Sequence, residues 1–319
     1  MAHELDIRNG KAAMAYVGDK PWHGLGQELT AGASIETWIK EAGMDYQIGS
    51  APVAFSADGK TMQQFSGKNV LFRDDTNEPL GLVSDNYQVV QPREIMEFFD
   101  NVAELHGFEL ETAGVLFGGK KYWALARTPK ELSLGKDKIK SHLMLATACD
   151  GSMSTIAKYV MTRVVCNNTV QMALGEQGSQ VKVRHNTRFN PESVKKELGL
   201  FNDSWEKMSE VVRGISKRVV TTDEAVKYLV AVLGDPSRPV EDQVETPNIA
   251  HVLGKFETGN YLGGSMKSAD HTAWGLMNAV TEWMDHGRGR GQDRRLEYSW
   301  FGAGGDLKQK AFDVAAAMI

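Results

Sequence analysis

The dominant period of the hydrophobic pattern shifts along this 319-residue chain close to Asn190. Before that point the chain is β-rich; after it, mostly helical. A period of two puts alternate side chains on opposite faces of a strand, and a period near 3.6 lines one face of a helix. Residues 181–189 carry the first pattern most plainly, with Val181, Val183, His185, Thr187 and Phe189 on one side and Lys182, Arg184, Asn186 and Arg188 on the other. Leu198, Trp205, Met208, Val211, Val212 and Ile215 carry the second, with a break at Gly199. Strands followed by helices, rather than strict alternation, predict an α+β fold with a largely antiparallel sheet. The expected division is a β-rich core with packed helices over residues 1–189 and a mainly helical part over residues 190–319. Residues 235–248, marked by Pro236, Pro239 and Pro247, read as a linker or exposed loop.

Local signals fill in this outline. Ser34 caps a short helix that ends at Gly43, with Ile35, Trp38 and Ile39 on one face. Asp58-Gly59 and the polar stretch from Asp74 to Glu78 are turns between strands. Pro92 opens a helix that buries Ile95, Met96, Phe98 and Phe99 and closes at Gly107. Lys121 to Arg127 alternates as a strand that Pro129 ends, and residues 141–149 and 154–166 are two more strands. Asn167-Asn168-Thr169 offers caps for a short helix ending near Gly175. Thr221 with Glu224 forms a capping box for a helix ending at Gly234. Asp270 caps a helix running to His286, and a last helix runs from Asp306 to about Met318.

The net charge of −5 conceals an asymmetry. Residues 1–119 hold 8 Lys/Arg against 18 Asp/Glu, residues 120–218 hold 18 against 9, and residues 219–319 hold 10 against 14. The middle is therefore basic within an acidic chain. Either these charges pair across the fold, or they form a face for a polyanion. No run approaches eighteen consecutive apolar residues, so no membrane span is expected, and the first residues lack the pattern of a signal peptide. Cys149 and Cys166 are the only cysteines, which fits a reducing compartment and leaves no cysteine-built metal site.

No catalytic motif in the sequence is complete. Gly114 to Lys120 fits the first seven positions of a phosphate-binding loop, but Lys121 stands where a Ser or Thr should hold magnesium, and a strand follows instead of a helix. Gly302-Ala303-Gly304 opens a helix without the preceding βαβ unit of a dinucleotide site. No histidine pair has metal-ligand spacing. No cofactor, metal or catalytic residue is assigned on this reading. Asp150, His185, Asp270, His271, Asp285 and His286 would make an enzyme site only if distant segments brought three or more of them together.

The basic residues make a more coherent set. Lys182, Arg184 and Arg188 share a strand face; Tyr159 and Arg163 share another, with Lys158 opposite; Lys120, Lys121 and Arg127 lie on the neighbouring basic strand. Arg288, Arg290, Arg294 and Arg295 sit in a glycine-rich loop. Lys and Arg neutralise phosphates, and aromatic rings give platforms for unpaired bases. Single-stranded DNA is the partner that this pattern suggests.

Several segments together carry a resemblance. They are Pro21-Trp22-His23-Gly24-Leu25-Gly26, Cys149-Asp150-Gly151-Ser152, Arg163 through Thr169, Val183-Arg184-His185-Asn186, and Trp274 through Glu282 with Asp285-His286. In this order the chain resembles the phage/plasmid-like protein family, a domain of unknown function. The resemblance implies a mobile-element origin and a cytoplasmic location in a bacterial host, and it brings no catalytic residues. The layout of basic strands and following helices is also similar to that of single-strand annealing proteins. The expectation is an ATP-independent protein that binds and anneals single-stranded DNA as a ring or filament of identical subunits. The alternatives are an enzyme with a His/Asp site and an accessory protein that binds a host defence protein.

Overall fold

The computed structural model describes residues 5–8, 10–18, 21, 24–163, 168–171, 180–198, 201–287, 298–299 and 302–319. The fold is α+β. Its strands are β1 (Ile7–Arg8), β2 (Lys11–Ala12), β3 (Met14–Tyr16), β4 (Gln27–Glu28), β5 (Ile48–Phe55), β6 (Gln63–Arg73), β7 (Pro79–Ser84), β8 (Glu109–Leu116), β9 (Lys121–Leu134), β10 (Asp137–Ala148), β11 (Thr155–Arg163), β12 (Asn168–Gln171) and β13 (Gln180–Val183). Its helices are α1 (Ile35–Glu41), α2 (Pro92–His106), α3 (Pro191–Leu198), α4 (Phe201–Ile215), α5 (Thr222–Leu233), α6 (Pro247–Thr258), α7 (Ala273–Glu282) and α8 (Ala303–Ala316). The main sheet has the order β12-β11-β10-β9-β8-β3-β4, with β13 also on β11, and β5-β6-β7 form a separate antiparallel sheet. In the main sheet the β3–β4 pair is parallel.

The chain divides into two compact units. One holds Met1–Pro129, His142–Lys158 and Gln180–Gly199; the other holds Lys130–Ser141, Tyr159–Ser179 and Leu200–Ile319. In the first, α2 packs Ile95, Met96, Phe98 and Phe99 into the core with Val115, Tyr122, Trp123 and Leu143. Pro92 starts this helix where no intrahelical donor is needed, and Glu94 accepts from the Gln91 amide at 2.7 Å. The β8–β9 hairpin turns through Phe117–Gly119, the stretch that imitated a phosphate loop. Gly119 has φ +107, and a Cβ there would lie 3.0 Å from the Arg73 side chain, so glycine meets both a backbone and a space requirement.

In the second unit, helices α4 to α8 bury Met208, Val212, Leu229, Val252, Phe256, Leu276, Val280 and Phe312. Thr221 and Glu224 form the expected reciprocal cap of α5. The Tyr228 hydroxyl donates to the Ala311 carbonyl at 2.8 Å, tying α5 to α8.

Four local expectations are corrected. Residues 168–171 are not helical: they form β12, antiparallel to β11 with Arg163 opposite Asn168. β9 does not end at Pro129 but runs to Leu134; β8 begins at Glu109 opposite Arg127, so the proline stands past the last β8 pair. Pro247, read as part of a loop, is the first residue of α6, a position that suits proline's missing N–H. The cap of α7 is Thr272, whose hydroxyl accepts from the Gly275 amide at 3.1 Å, while Asp270 is exposed; the helix continues past Glu282 as a wider turn, Trp283–Gly287. Among the described residues no helix is long and apolar enough to cross a membrane.

Candidate nucleic-acid interface

β13 is shorter than its alternating sequence suggests. It pairs with the first half of β11, Val181 opposite Ala157 and Val183 opposite Thr155, and then the chain turns, with the Thr187 amide donating to the Arg184 carbonyl at 2.9 Å. The alternation of residues 184–189 thus lies in a loop. That loop runs into α3, where Asn190 caps the helix by accepting from the amides of Glu192 and Ser193 at 3.0 and 3.2 Å. Phe189 and Val194 are buried, and Phe189 packs against Phe98 of α2 with ring centroids 6.3 Å apart.

Between strand, loop and helix lies a groove of about 430 Å³. Lys182, Arg184 and Arg188 line it with Thr187, Asn190 and Ser193, and among the described residues no carboxylate does. All three cations are exposed, and among the described residues none forms an ion pair or side-chain hydrogen bond. Three adjacent positive charges without a counter-charge repel one another and lower the cost of bringing in an anion.

The loop is fixed from behind. The His185 ring stacks on Tyr87 at 4.5 Å and 14°. Its Nδ1 lies 3.0 Å from the Gln88 carbonyl, and its Nε2 lies 3.1 Å from the Met153 carbonyl and 3.4 Å from the Thr147 hydroxyl. The Gln88 amide in turn donates to the His185 carbonyl at 2.5 Å. Tyr87 is held by its hydroxyl, which donates to the Ala148 carbonyl at 2.8 Å; burial, then the neighbouring Cys149 and Asp150, push its phenol above the usual tyrosine range. Nothing in the sequence pattern joins Tyr87 to His185; only the fold does.

The other expected contacts are placed differently. Tyr159 and Lys158 are buried, since β11 is covered on both faces, and burial raises the Tyr159 phenol. Arg163 is 1% exposed and serves the core of the second unit. Its guanidinium meets Asp137 at 2.9 and 2.7 Å and donates to the carbonyls of Leu262 and Gly263. Asp137 also accepts from Ser268 at 2.7 Å and from the Trp274 indole at 3.1 Å. These three residues are corrected from ligand contacts to interior ones. Lys121 lies over the Phe117 ring at 5.4 Å, Arg127 is paired with Glu109, and Lys120 is half-buried. Arg288, Arg290, Arg294 and Arg295 lie outside the described residues.

The residues of the enzyme alternative do not gather. Asp150 accepts from the Ser152 amide at 2.9 Å, and His185 belongs to the Tyr87 stack. Asp270 and His271 are exposed, and Asp285 pairs with the buried Lys308 at 3.0 Å. Among the described residues no group of three His, Cys, Asp or Glu side chains is arranged to hold a metal.

Residues 79–300 match the family model described as a domain of unknown function, DUF932. The chain belongs to the DUF932 family. The DUF932 match takes in the groove, the Tyr87–His185 stack and the Arg163–Asp137 pair, whereas β5 and β6 precede it. No curated protein and no solved structure matches this DUF932 chain.

Proposed function

We propose that this chain is a nucleic-acid-binding protein of a phage or plasmid, and that it holds the sugar–phosphate backbone of single-stranded DNA in the groove between β13 and α3 without nucleotide hydrolysis. The observation that carries the reading is the set of three exposed cations lining one concavity, without a counter-charge among the described residues. Lys182, Arg184 and Arg188 take the phosphates, each releasing condensed counterions. Ser193 adds a hydroxyl donor, which positions a backbone without reading its sequence. A concavity of about 430 Å³ suits one strand better than the convex surface of a duplex. Annealing would follow if bound strands stay accessible on their base edges.

The test is fluorescence anisotropy with a labelled single strand, a matched duplex alongside, over a salt series. Binding of the single strand that weakens steeply with salt supports the reading. Absence of binding at low salt refutes it.

A further inference from the structure

The β5–β6 hairpin leaves the body of the first unit as an uncovered arm. β7 pairs with β6 only from Lys68 onward, so residues 54–67 have no third strand, and each of them is exposed. Phe55 is 44% exposed, Phe65 51% and Met62 67%. The two rings meet edge-on at 6.4 Å across the pair in which Phe55 faces Gln63. A two-stranded ribbon without a covering layer is marginal in water, and exposed apolar groups gathered in one place mark a contact surface.

The arm is nevertheless ordered at its tip. Asp58 accepts from the Lys60 and Thr61 amides at 2.8 and 2.7 Å and from the Ser56 hydroxyl at 3.2 Å. The Thr61 and Lys60 amides hold its carboxyl down at about 2. Order before contact lowers the entropy cost of association.

Charge selects the occupant. From Pro52 to Gly67 the only charged residues are Asp58 and Lys60, in a region of the chain where Asp and Glu outnumber Lys and Arg by more than two to one. A polyanion calls for an excess of Lys and Arg, and a basic partner for an excess of Asp and Glu; the arm has neither. A two-fold contact sets a patch against its own copy, so any net charge would be doubled against itself. This patch has none. The uncovered edge of β6 over residues 63–67 gives the copy backbone donors and acceptors beside the aromatic pair.

We propose that the β5–β6 arm is the surface through which two copies of this chain associate, with Phe55, Phe65 and Met62 at its centre. The proposal stands independently of the nucleic-acid reading. The test is sedimentation velocity of the full chain from low to high micromolar concentration, for the wild type, for Phe55→Ser with Phe65→Ser, and for Met62→Glu. Circular dichroism confirms that these exposed substitutions leave the fold intact. The expected result is a wild-type dimer or larger assembly whose dissociation constant rises at least about tenfold in both variants, as when central aromatic anchors are removed from an interface. A wild type that stays monomeric overturns the proposal, as does association that both variants retain. A monomeric wild type whose variants lose single-strand binding would assign the arm to nucleic acid and overturn it too.

Discussion

Replacing Lys182, Arg184 and Arg188 together by alanine removes the positive charges that the described residues bring to the groove. All three side chains are exposed, so the fold should survive the change. The size of the effect follows from counterion release. On a single strand each neutralised phosphate contributes about 0.7 to the slope of log affinity against log salt, so three contribute about 2. Over a fourfold rise in salt, a slope of that size weakens binding about eighteenfold. The assay is the anisotropy titration at several salt concentrations, and the quantity read is the slope, not one affinity. The triple variant should lose about 2 from that slope. Exchanging Lys182 for Arg and Arg184 for Lys should preserve the slope, because the charge is kept. A triple variant with an unchanged slope would place the phosphates elsewhere and refute the assignment of this groove.

Three further outcomes are expected. Arg163→Met leaves Asp137 buried without its charge partner and should cost about 3–5 kcal/mol, read as a lowered urea midpoint. Cys149, whose thiol burial pushes up to about 12, should resist iodoacetamide in the native protein and react on denaturation, as site-resolved mass spectrometry would report. The Glu224 carboxyl is held down at about 2 by Arg218 and then by the Thr221 amide. Because its folded value lies below the ordinary one, its contribution is complete above the usual carboxylate range and fades as pH falls toward 2; an NMR titration should find that low midpoint, and Arg218→Ala should raise it.

Elements whose signal is local were legible in the sequence. Ser34 does accept from the Thr37 amide, Pro92 does open α2, and Thr221 with Glu224 does cap α5. Each depends on residues within one turn of one another. β12 was misread because asparagine and threonine serve helix caps and strand ends alike, and only the pairing with β11 decides. Arg163 was misread for a related reason. Alternation marks two faces of a strand but does not say which is covered, and here both are. Its partner Asp137 lies 26 residues away in the chain, and no spacing rule connects them. The cations of the groove were legible as a cluster on one segment, whereas Thr187, Asn190 and Ser193 joined them only when the loop turned into α3.

The anchoring of His185 also has a kinetic side. With its ring stacked on Tyr87 and both ring nitrogens facing oxygen atoms, the segment from Arg184 to Arg188 would, on the proposed function, take a strand without reorganising. Capture at such a preset surface would be a single encounter step. Its observed rate should rise linearly with strand concentration, without the plateau that a slow rearrangement imposes, and the attraction of three like charges should make it fast at low salt and slower as salt is added.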